Sequence, residues 1–499
     1  MRANVARLGV ALTTTFLVVA LGLTYWQLVA ADSLNAQPSN PRLVAAEQQV
    51  RRGRILDRTG RPLAEDRREG DNEVRDYPLP AAAPVTGYHS LRYGNSGLEE
   101  RYDADLRGAG ADDALQQLQQ RLLHRPVVGS DIVTTLDARI QQAAMAALGD
   151  HPGAIVVLDP KTGEVLALAS SPSFDPGKVD EQFPALRDNP DAALLNRATQ
   201  SAYVPGSTFK LVTASAALDK GLVNLDQPFT CTTAINLGGQ PVDCRNSIHI
   251  PRLTFKQAFA WSSNRVFALT GLLLGFPGPI NPWLDDHPPG RYPWQDHSID
   301  PSAQVLEDYA ARFGFGRSIP FDLPVAPSRL KDPSSPWSVG LLASTAFGQG
   351  ELSVTALQMA LAVAVPGDDG KLPRPYLVSQ IRSPDGTVRT VHEPGGWIDD
   401  VVSQETASVL RAFLLEGVEN GYAAPARIPG VKVGGKTGTA EVGQGQTPHA
   451  WFIGLAPVDA PRLAIAVVFE HGGSGAEVAT PAGRAVLQVA LDVYRPQGR

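Results

Sequence analysis

Metal ligands, thiols and basic surface are all scarce in this chain. Of its 499 residues only two are cysteines, Cys231 and Cys244, too few for a disulfide framework or, by themselves, for a zinc site. The nine histidines are scattered, with no H-E-x-x-H and no paired spacing, so neither a metal centre nor a cofactor is expected. A net charge of −7 and a pI near 5.8, with no basic stripe, argue against a nucleic-acid partner. What is present suits a folded protein. Hydrophobic content of 43% against 19% charge is a globular balance, and the length exceeds that of one ordinary domain.

The long uncharged run lies near the start. No charge occurs from Leu8 to Ala31, and Arg2 and Arg7 precede it. As a helix this run spans a bilayer, with the arginines keeping the short N-terminus cytoplasmic and Tyr25 and Trp26 near the outer interface. Val29-Ala30-Ala31 also fits a signal-peptidase site, but the run is longer than a usual signal core and an uncleaved anchor is favoured. The expected placement is the cell membrane, single-pass, with everything after the anchor extracytoplasmic. There Cys231 and Cys244 either form a disulfide or persist as two inert buried thiols.

Beyond the anchor, Asp57-Arg58-Thr59-Gly60 reads as a turn between two short strands. Residues 65–127 are rich in turn residues, with breaks at Thr86-Gly87-Tyr88 and Gly94-Asn95-Ser96-Gly97, and the spacing of Leu115, Leu118 and Leu122 predicts a helix over Asp112 to Leu123. A new unit opens near Gly129 with an amphipathic helix over Leu136 to Leu148. Two apolar strands follow, Ala154 to Leu158 and Val165 to Ala169, joined by Asp159-Pro160-Lys161-Thr162-Gly163-Glu164. Thr254 to Leu274 is helical but interrupted at Trp261-Ser262-Ser263-Asn264. The proline-rich stretch 276–301 reads as a surface loop, a lid or partner site being the alternative. A helix over Ser403 to Val418, strands over Val431 to Val442, Ala450 to Pro457 and Leu463 to Glu470, and a helix over Pro481 to Val493 complete the chain. Strands at both ends with helices between predict an α+β fold: an antiparallel sheet closed by N- and C-terminal segments and flanked by helices. The expected division is tail and anchor over 1–31, an α+β dimerisation or pedestal module over 32–150, and the catalytic domain over 151–499.

Chemistry concentrates in three motifs. In Val204-Pro205-Gly206-Ser207-Thr208-Phe209-Lys210, proline and glycine break the chain just before a helical pattern, placing Ser207 at a helix start with Lys210 on the same face. A helix N-terminus favours a developing alkoxide and a desolvated amine can take the proton, which is what a serine acyltransferase without histidine needs. Ser262-Ser263-Asn264 sits at a helix break. Lys436-Thr437-Gly438-Thr439 lies in a strand whose glycines permit close approach of a substrate. Each motif has decoys: Ser328-Arg329-Leu330-Lys331 is flanked by Pro327 and Pro333, Ser33-Leu34-Asn35 adjoins the anchor, and Lys161-Thr162-Gly163 is a tight turn ahead of the serine. Three matches in fixed order are far more specific than any one.

This ordered triplet is the one found in penicillin-binding proteins and class A β-lactamases, and the chain resembles a class B penicillin-binding protein, of the actinobacterial penicillin-binding protein A type. Arg52-Gly53, Ile55, Asp57-Arg58, Gly60 and Leu63-Ala64 look like that family's opening signature. Val85-Thr86-Gly87-Tyr88, Gly97-Leu98-Glu99, Phe347-Gly348-Gln349-Gly350 and His449-Ala450-Trp451-Phe452 resemble its other landmarks. The resemblance implies the fold of penicillin-binding transpeptidases and serine β-lactamases. It implies cross-linking of peptidoglycan stem peptides, with penicillins and other β-lactams reacting covalently at Ser207. It also implies roles: Ser207 as nucleophile, Lys210 as base, Ser262 as proton relay, and Asn264 positioning the substrate amide and Lys210. Lys436, Thr437 and Thr439 would hold the substrate carboxylate, Gly438 would belong to the same binding strand, and the N–H groups of Ser207 and Thr439 would form the oxyanion hole. Lys436 is also expected to help depress the Lys210 pKa.

No glycan-polymerising module fits between the anchor and Ala154, so the partner expected is a polytopic lipid II glycosyltransferase. A class A β-lactamase is disfavoured, because no E-x-x-L-N occurs between Asn264 and Lys436. A D,D-carboxypeptidase shares the triplet, and a membrane-anchored β-lactam sensor or morphogenesis scaffold would keep a reactive serine without turnover.

Overall fold

In the computed structural model the strands Gly434–Ala440, His449–Ala456, Leu463–Phe469, Gly153–Leu158 and Val165–Ser171 form, in that order, one antiparallel sheet. The structure describes residues 2–29, 50–70, 72–108, 128–244, 250–443 and 445–494; the helix expected over 112–123 lies outside them. Leu463–Phe469 pairs with Gly153–Leu158, so segments near the two ends of residues 151–499 close the sheet as the pattern predicts. The apolar run 154–158 alternates between two cores. Ala154, Val156 and Leu158 face one and Ile155 and Val157 the other, which is why a strand buried on both faces reads as a continuous apolar run. On the first face lie the helices Lys210–Asp219, Asn264–Leu273, Ala356–Gly367 and Gln404–Glu419; on the second lie Ala138–Leu148 and Thr480–Val493.

The strand expected over 431–442 runs only from Gly434 to Ala440, because Val431 turns back to bridge Ile428. The aromatic, proline-rich stretch 276–301 is more than a surface loop. It holds a helical turn, Asn281–Leu284, it buries Ile280 and Leu284, and it stacks Tyr292 on Trp294 with ring centroids 4.4 Å apart. Cys231 and Cys244 are joined as a disulfide, Cα–Cα 5.8 Å, which settles the alternative left open by the sequence.

A second, six-stranded sheet runs Val388–Val391, Val378–Arg382, Asp131–Thr134, Ile55–Leu56, Pro62–Glu69, Asn72–Asp76. Its first two strands come from far along the chain from the other four, a pairing the sequence did not announce. The Asp57 turn is more than a hairpin tip. Its carboxylate accepts from Thr59 N at 2.8 Å, Arg61 N at 2.9 Å and Ala138 N at 3.3 Å, and Arg58 N donates to Leu136 O. The turn thereby clamps the start of the helix 138–148. Behind it Arg52, Arg75 and Glu99 form a buried ionic cluster. Gly87 and Gly97, both at positive φ, back against each other so closely that a Cβ on Gly87 would lie 1.9 Å from Ser96 O, a contact only glycine permits.

At the start of the chain Arg2–Thr24 is a helix continued to Val29 by a wider turn. Over Asn4–Gln27, 24 residues, it is long and apolar enough to cross a membrane, and its most apolar window is wholly unburied.

Candidate active site

Gly206–Phe209 forms a 3₁₀ turn that runs directly into the helix Lys210–Asp219. In such a turn residues i and i+3 eclipse one another, so Ser207 and Lys210 meet: Lys210 Nζ lies 2.6 Å from Ser207 Oγ. The same amine reaches Asn264 Oδ1 at 2.7 Å, Ser262 O at 3.0 Å and Ser262 Oγ at 3.2 Å. Lys436 Nζ donates to the other side of Ser262 Oγ at 2.9 Å and to Thr437 O at 3.0 Å. The Ser262 hydroxyl therefore bridges two buried lysines, and all three sequence motifs converge on one hydrogen-bonded chain.

Local folding explains how each side chain arrives. The helix Phe255–Ala260, with Thr254 and Gln257 as its capping box, ends at Trp261. Ser262 then takes a left-handed φ of 60°, unusual for a residue with a side chain and common at functional sites. Ser263 caps the next helix by accepting from Val266 N at 3.3 Å, so Asn264 becomes its first residue. Glycines let the pieces interlock. A Cβ on Gly348 would sit 1.7 Å from Gly206 O, and one on Gly438 would sit 2.7 Å from Pro205 O. Trp451 Nε1 donates to Val204 O at 2.9 Å and fixes the approach to the turn. Gly434–Ala440 is the outermost strand of its sheet, and its free edge faces the turn that carries Ser207.

Burial lowers the Lys436 pKa to about 7, since an ammonium loses hydration there and no carboxylate among the described residues pairs with it. The backbone N–H of Ser207 belongs to the first turn, where such groups have no partner within the helix and are available to an oxyanion. The cleft beside these groups is open, and Ser207, Ser262, Asn264, Thr437 and Thr439 line it.

All eight residues expected from sequence lie at or directly beside this cleft. Sequence reasoning missed most of its rim: Trp261, edge-on to Tyr422 with centroids 5.2 Å apart, together with Asp243 and Glu441. Phe347 and Gln349 also line it and stand inside the family landmark Phe347-Gly348-Gln349-Gly350, which was the one available signal. The decoys do not join them. The buried Ser328 hydroxyl accepts from Thr355 N at 3.2 Å. Lys161-Thr162-Gly163 is a turn in which Asp159 Oδ1 accepts from Lys161 N at 2.8 Å. Ser33-Leu34-Asn35 lies outside the described residues.

Residues 153–488 match the penicillin binding protein transpeptidase domain, and residues 52–132 match the penicillin binding protein A dimerisation domain. The peptidoglycan D,D-transpeptidase PbpA of Mycobacterium tuberculosis is 33% identical over 532 residues, covering 98% of this chain and 99% of that protein. Penicillin-binding protein A from M. tuberculosis, solved as a ceftriaxone acyl-enzyme complex, superposes with a TM-score of 0.78 at 32% identity, over 89% of this chain and 99% of that one. Its penicillin G acyl-enzyme complex gives a TM-score of 0.76 at 32% identity, over 89% and 100%.

Proposed function

The chain belongs to the penicillin-binding protein transpeptidase family, and from that premise we propose that it cross-links peptidoglycan through an acyl-serine. The observation that carries the reading is the chain Ser207–Lys210–Ser262–Lys436 at an open cleft. Lys210 takes the Ser207 proton as Oγ attacks the carbonyl of a terminal D-Ala-D-Ala bond. The N–H groups of Ser207 and Thr439 hold the oxyanion, where one donor is worth about 3 kcal/mol. Collapse of the tetrahedral adduct breaks the C–N bond, and the proton passes through Ser262 to the departing D-Ala nitrogen. Lys436, Thr437 and Thr439 hold the substrate carboxylate, Gly438 lets the substrate lie close to the strand, and Asn264 orients both the substrate amide and Lys210. An amine of a second stem peptide then attacks the ester, gives up its proton and frees Ser207. A β-lactam acylates the same serine and stays on it.

Purified full-length chain, given stem pentapeptides and a labelled acceptor amine, is expected to form the labelled amide and to stop when penicillin is added. Release of D-Ala with water as the sole acceptor would make it a carboxypeptidase. Acylation without either product would make it a sensor or scaffold. The N-terminal helix is read as a single membrane pass with the catalytic half outside, and a polytopic lipid II glycosyltransferase as the partner that supplies glycan. Failure of the two purified chains to co-elute in detergent would count against that partner.

The low Lys436 pKa has a pH signature. Its charge attracts the ligand carboxylate below about pH 7 and is lost above it. Noncovalent affinity for benzylpenicillin is therefore expected to fall between about pH 6 and about pH 8, and Lys436→Arg, which keeps its charge throughout, flattens the fall. An unchanged profile in the unsubstituted protein would contradict the assignment.

A further inference from the structure

Next to the cleft, but outside its lining, lies a second polar assembly centred on Arg265, the residue directly after Asn264. Its side chain is 2% exposed, yet it carries a full charge into the core. Nη1 pairs with Asp286 Oδ1 and donates to Thr233 O at 3.3 Å, while Nη2 donates to Asp285 O at 2.8 Å. Asp286 is held in turn by Thr232, through N at 2.9 Å and Oγ1 at 2.6 Å, and by Thr233 Oγ1 at 2.9 Å. Burial opposes ionisation of Asp286, but hydrogen bonds from Thr232, Arg265 and Thr233 outweigh it and draw the carboxyl down to about 2.

The backbone N–H of Arg265 and the side chain of Ser263 are tied to the same region. Arg265 N donates to Asp243 O at 3.1 Å, next to the disulfide-bonded Cys244. Ser263 Oγ lies 3.3 Å from Cys244 Sγ and 3.9 Å from Cys231 Sγ. Thr230 N donates to Asp285 Oδ2 at 2.8 Å, joining the 229–230 strand to the 281–296 segment. Three separate stretches, near 230–233, 243–244 and 285–286, thus converge on Ser263, the middle residue of the motif, and on Arg265, the residue directly after it. The motif itself carries the left-handed Ser262 and the Asn264 carboxamide that meets Lys210. A non-glycine residue at positive φ persists only where its surroundings over-determine it. A buried ion pair is weak as a source of stability, and its best-attested use is to fix one geometry among several.

We propose that Arg265 and Asp286 are positioning residues for the acylation step: anchored to the proline-rich segment, the pair holds the start of the 264–273 helix so that Ser262 and Asn264 stay in register with Lys210. Neither side chain lines the cleft, and the pair acts only through the motif beside it. This rests on the reading of Ser207 as the acylated serine. The same geometry gives the 276–301 segment a purpose, as the fixed backing of a catalytic turn.

The test is single-turnover acylation of the detergent-solubilised full chain by a fluorescent penicillin, resolved into noncovalent affinity and the first-order acylation rate. The variants are Arg265→Met, Arg265→Lys, Asp286→Asn and the milder Thr232→Val/Thr233→Val pair, which loosens Asp286 from the exposed side. In the folded fraction of each, the acylation rate is expected to fall at least tenfold for Arg265→Met and Asp286→Asn and about threefold for the threonine pair. Noncovalent affinity stays within twofold, and Arg265→Lys recovers part of the lost rate. Should the Arg265 and Asp286 variants fail to fold, the threonine pair decides alone. Acylation rates equal to the unsubstituted protein in the folded variants, or a loss confined to noncovalent affinity, would overturn the proposal. If the unsubstituted protein is itself not acylated at Ser207, the underlying reading fails instead.

Discussion

Lys210→Ala is expected to slow acylation of Ser207 by a β-lactam about 10²- to 10⁴-fold, the range for loss of a general base, here one that also activates the nucleophile. Among the described residues no histidine lines the cleft, and Lys210 is the amine at hydrogen-bond distance from Ser207 Oγ. Lys436 does not substitute for it, because it meets the network at Ser262. Lys210→Arg is expected to be as inactive as the alanine variant, since a guanidinium keeps its proton at any working pH. Stopped-flow acylation of full-length variants with unchanged melting curves checks this. A rate within tenfold of the unsubstituted protein would remove Lys210 from the role of base.

Glu99→Ala is expected to produce the largest loss of stability in the N-terminal region. The carboxylate is wholly buried and is held by Arg52 Nη2 at 2.9 Å and Arg75 Nε at 2.6 Å. Removing it takes the shared partner from two buried guanidinium groups, Arg52 keeping Asp103 and Arg75 keeping Asp66. The cost is about 3 kcal/mol, the low end for breaking a buried ionic group, still a large share of the roughly 5–15 kcal/mol that holds a domain folded. Burial raises the Glu99 pKa, but Arg75 and Arg52 more than reverse this, leaving it below the ordinary carboxylate value. A carboxylate depressed in the folded state contributes stability above its unfolded pKa and loses it as pH falls through the folded one. Acid below the ordinary carboxylate range is therefore expected to narrow the gap between the variant and the parent. Urea unfolding of the full chain at neutral and acid pH measures both effects. A difference under about 1 kcal/mol at neutral pH would show that the cluster is not the fastening it resembles.

The active-site motifs were legible because their chemistry leaves a linear trace. A serine and a lysine three apart share a turn where a helix starts beside them, as after Pro205-Gly206 and not at the proline-flanked Ser328–Lys331. A helix break carrying Ser262 and Asn264 is visible in the loss of apolar periodicity. The central sheet was legible for a similar reason, since runs such as Ala154 to Leu158 have no other stable place. Non-local features left little trace. Nothing in Val378–Arg382 marks it as the neighbour of Asp131–Thr134, because a strand's partner is chosen by the tertiary fold. Tyr422 and Asp243 reach the cleft from distant turns with no spacing to connect them. Arg265 reads as one more charge in a helix until Asp286, twenty-one residues on, is seen against it.

Mapping the adduct left by a fluorescent penicillin on the full-length chain, by peptide mass spectrometry, tests the central claim most directly. A single adduct is expected, on the peptide carrying Ser207, absent in Ser207→Ala and strongly reduced in Lys210→Ala. An adduct on another residue, or none on folded protein, would contradict it.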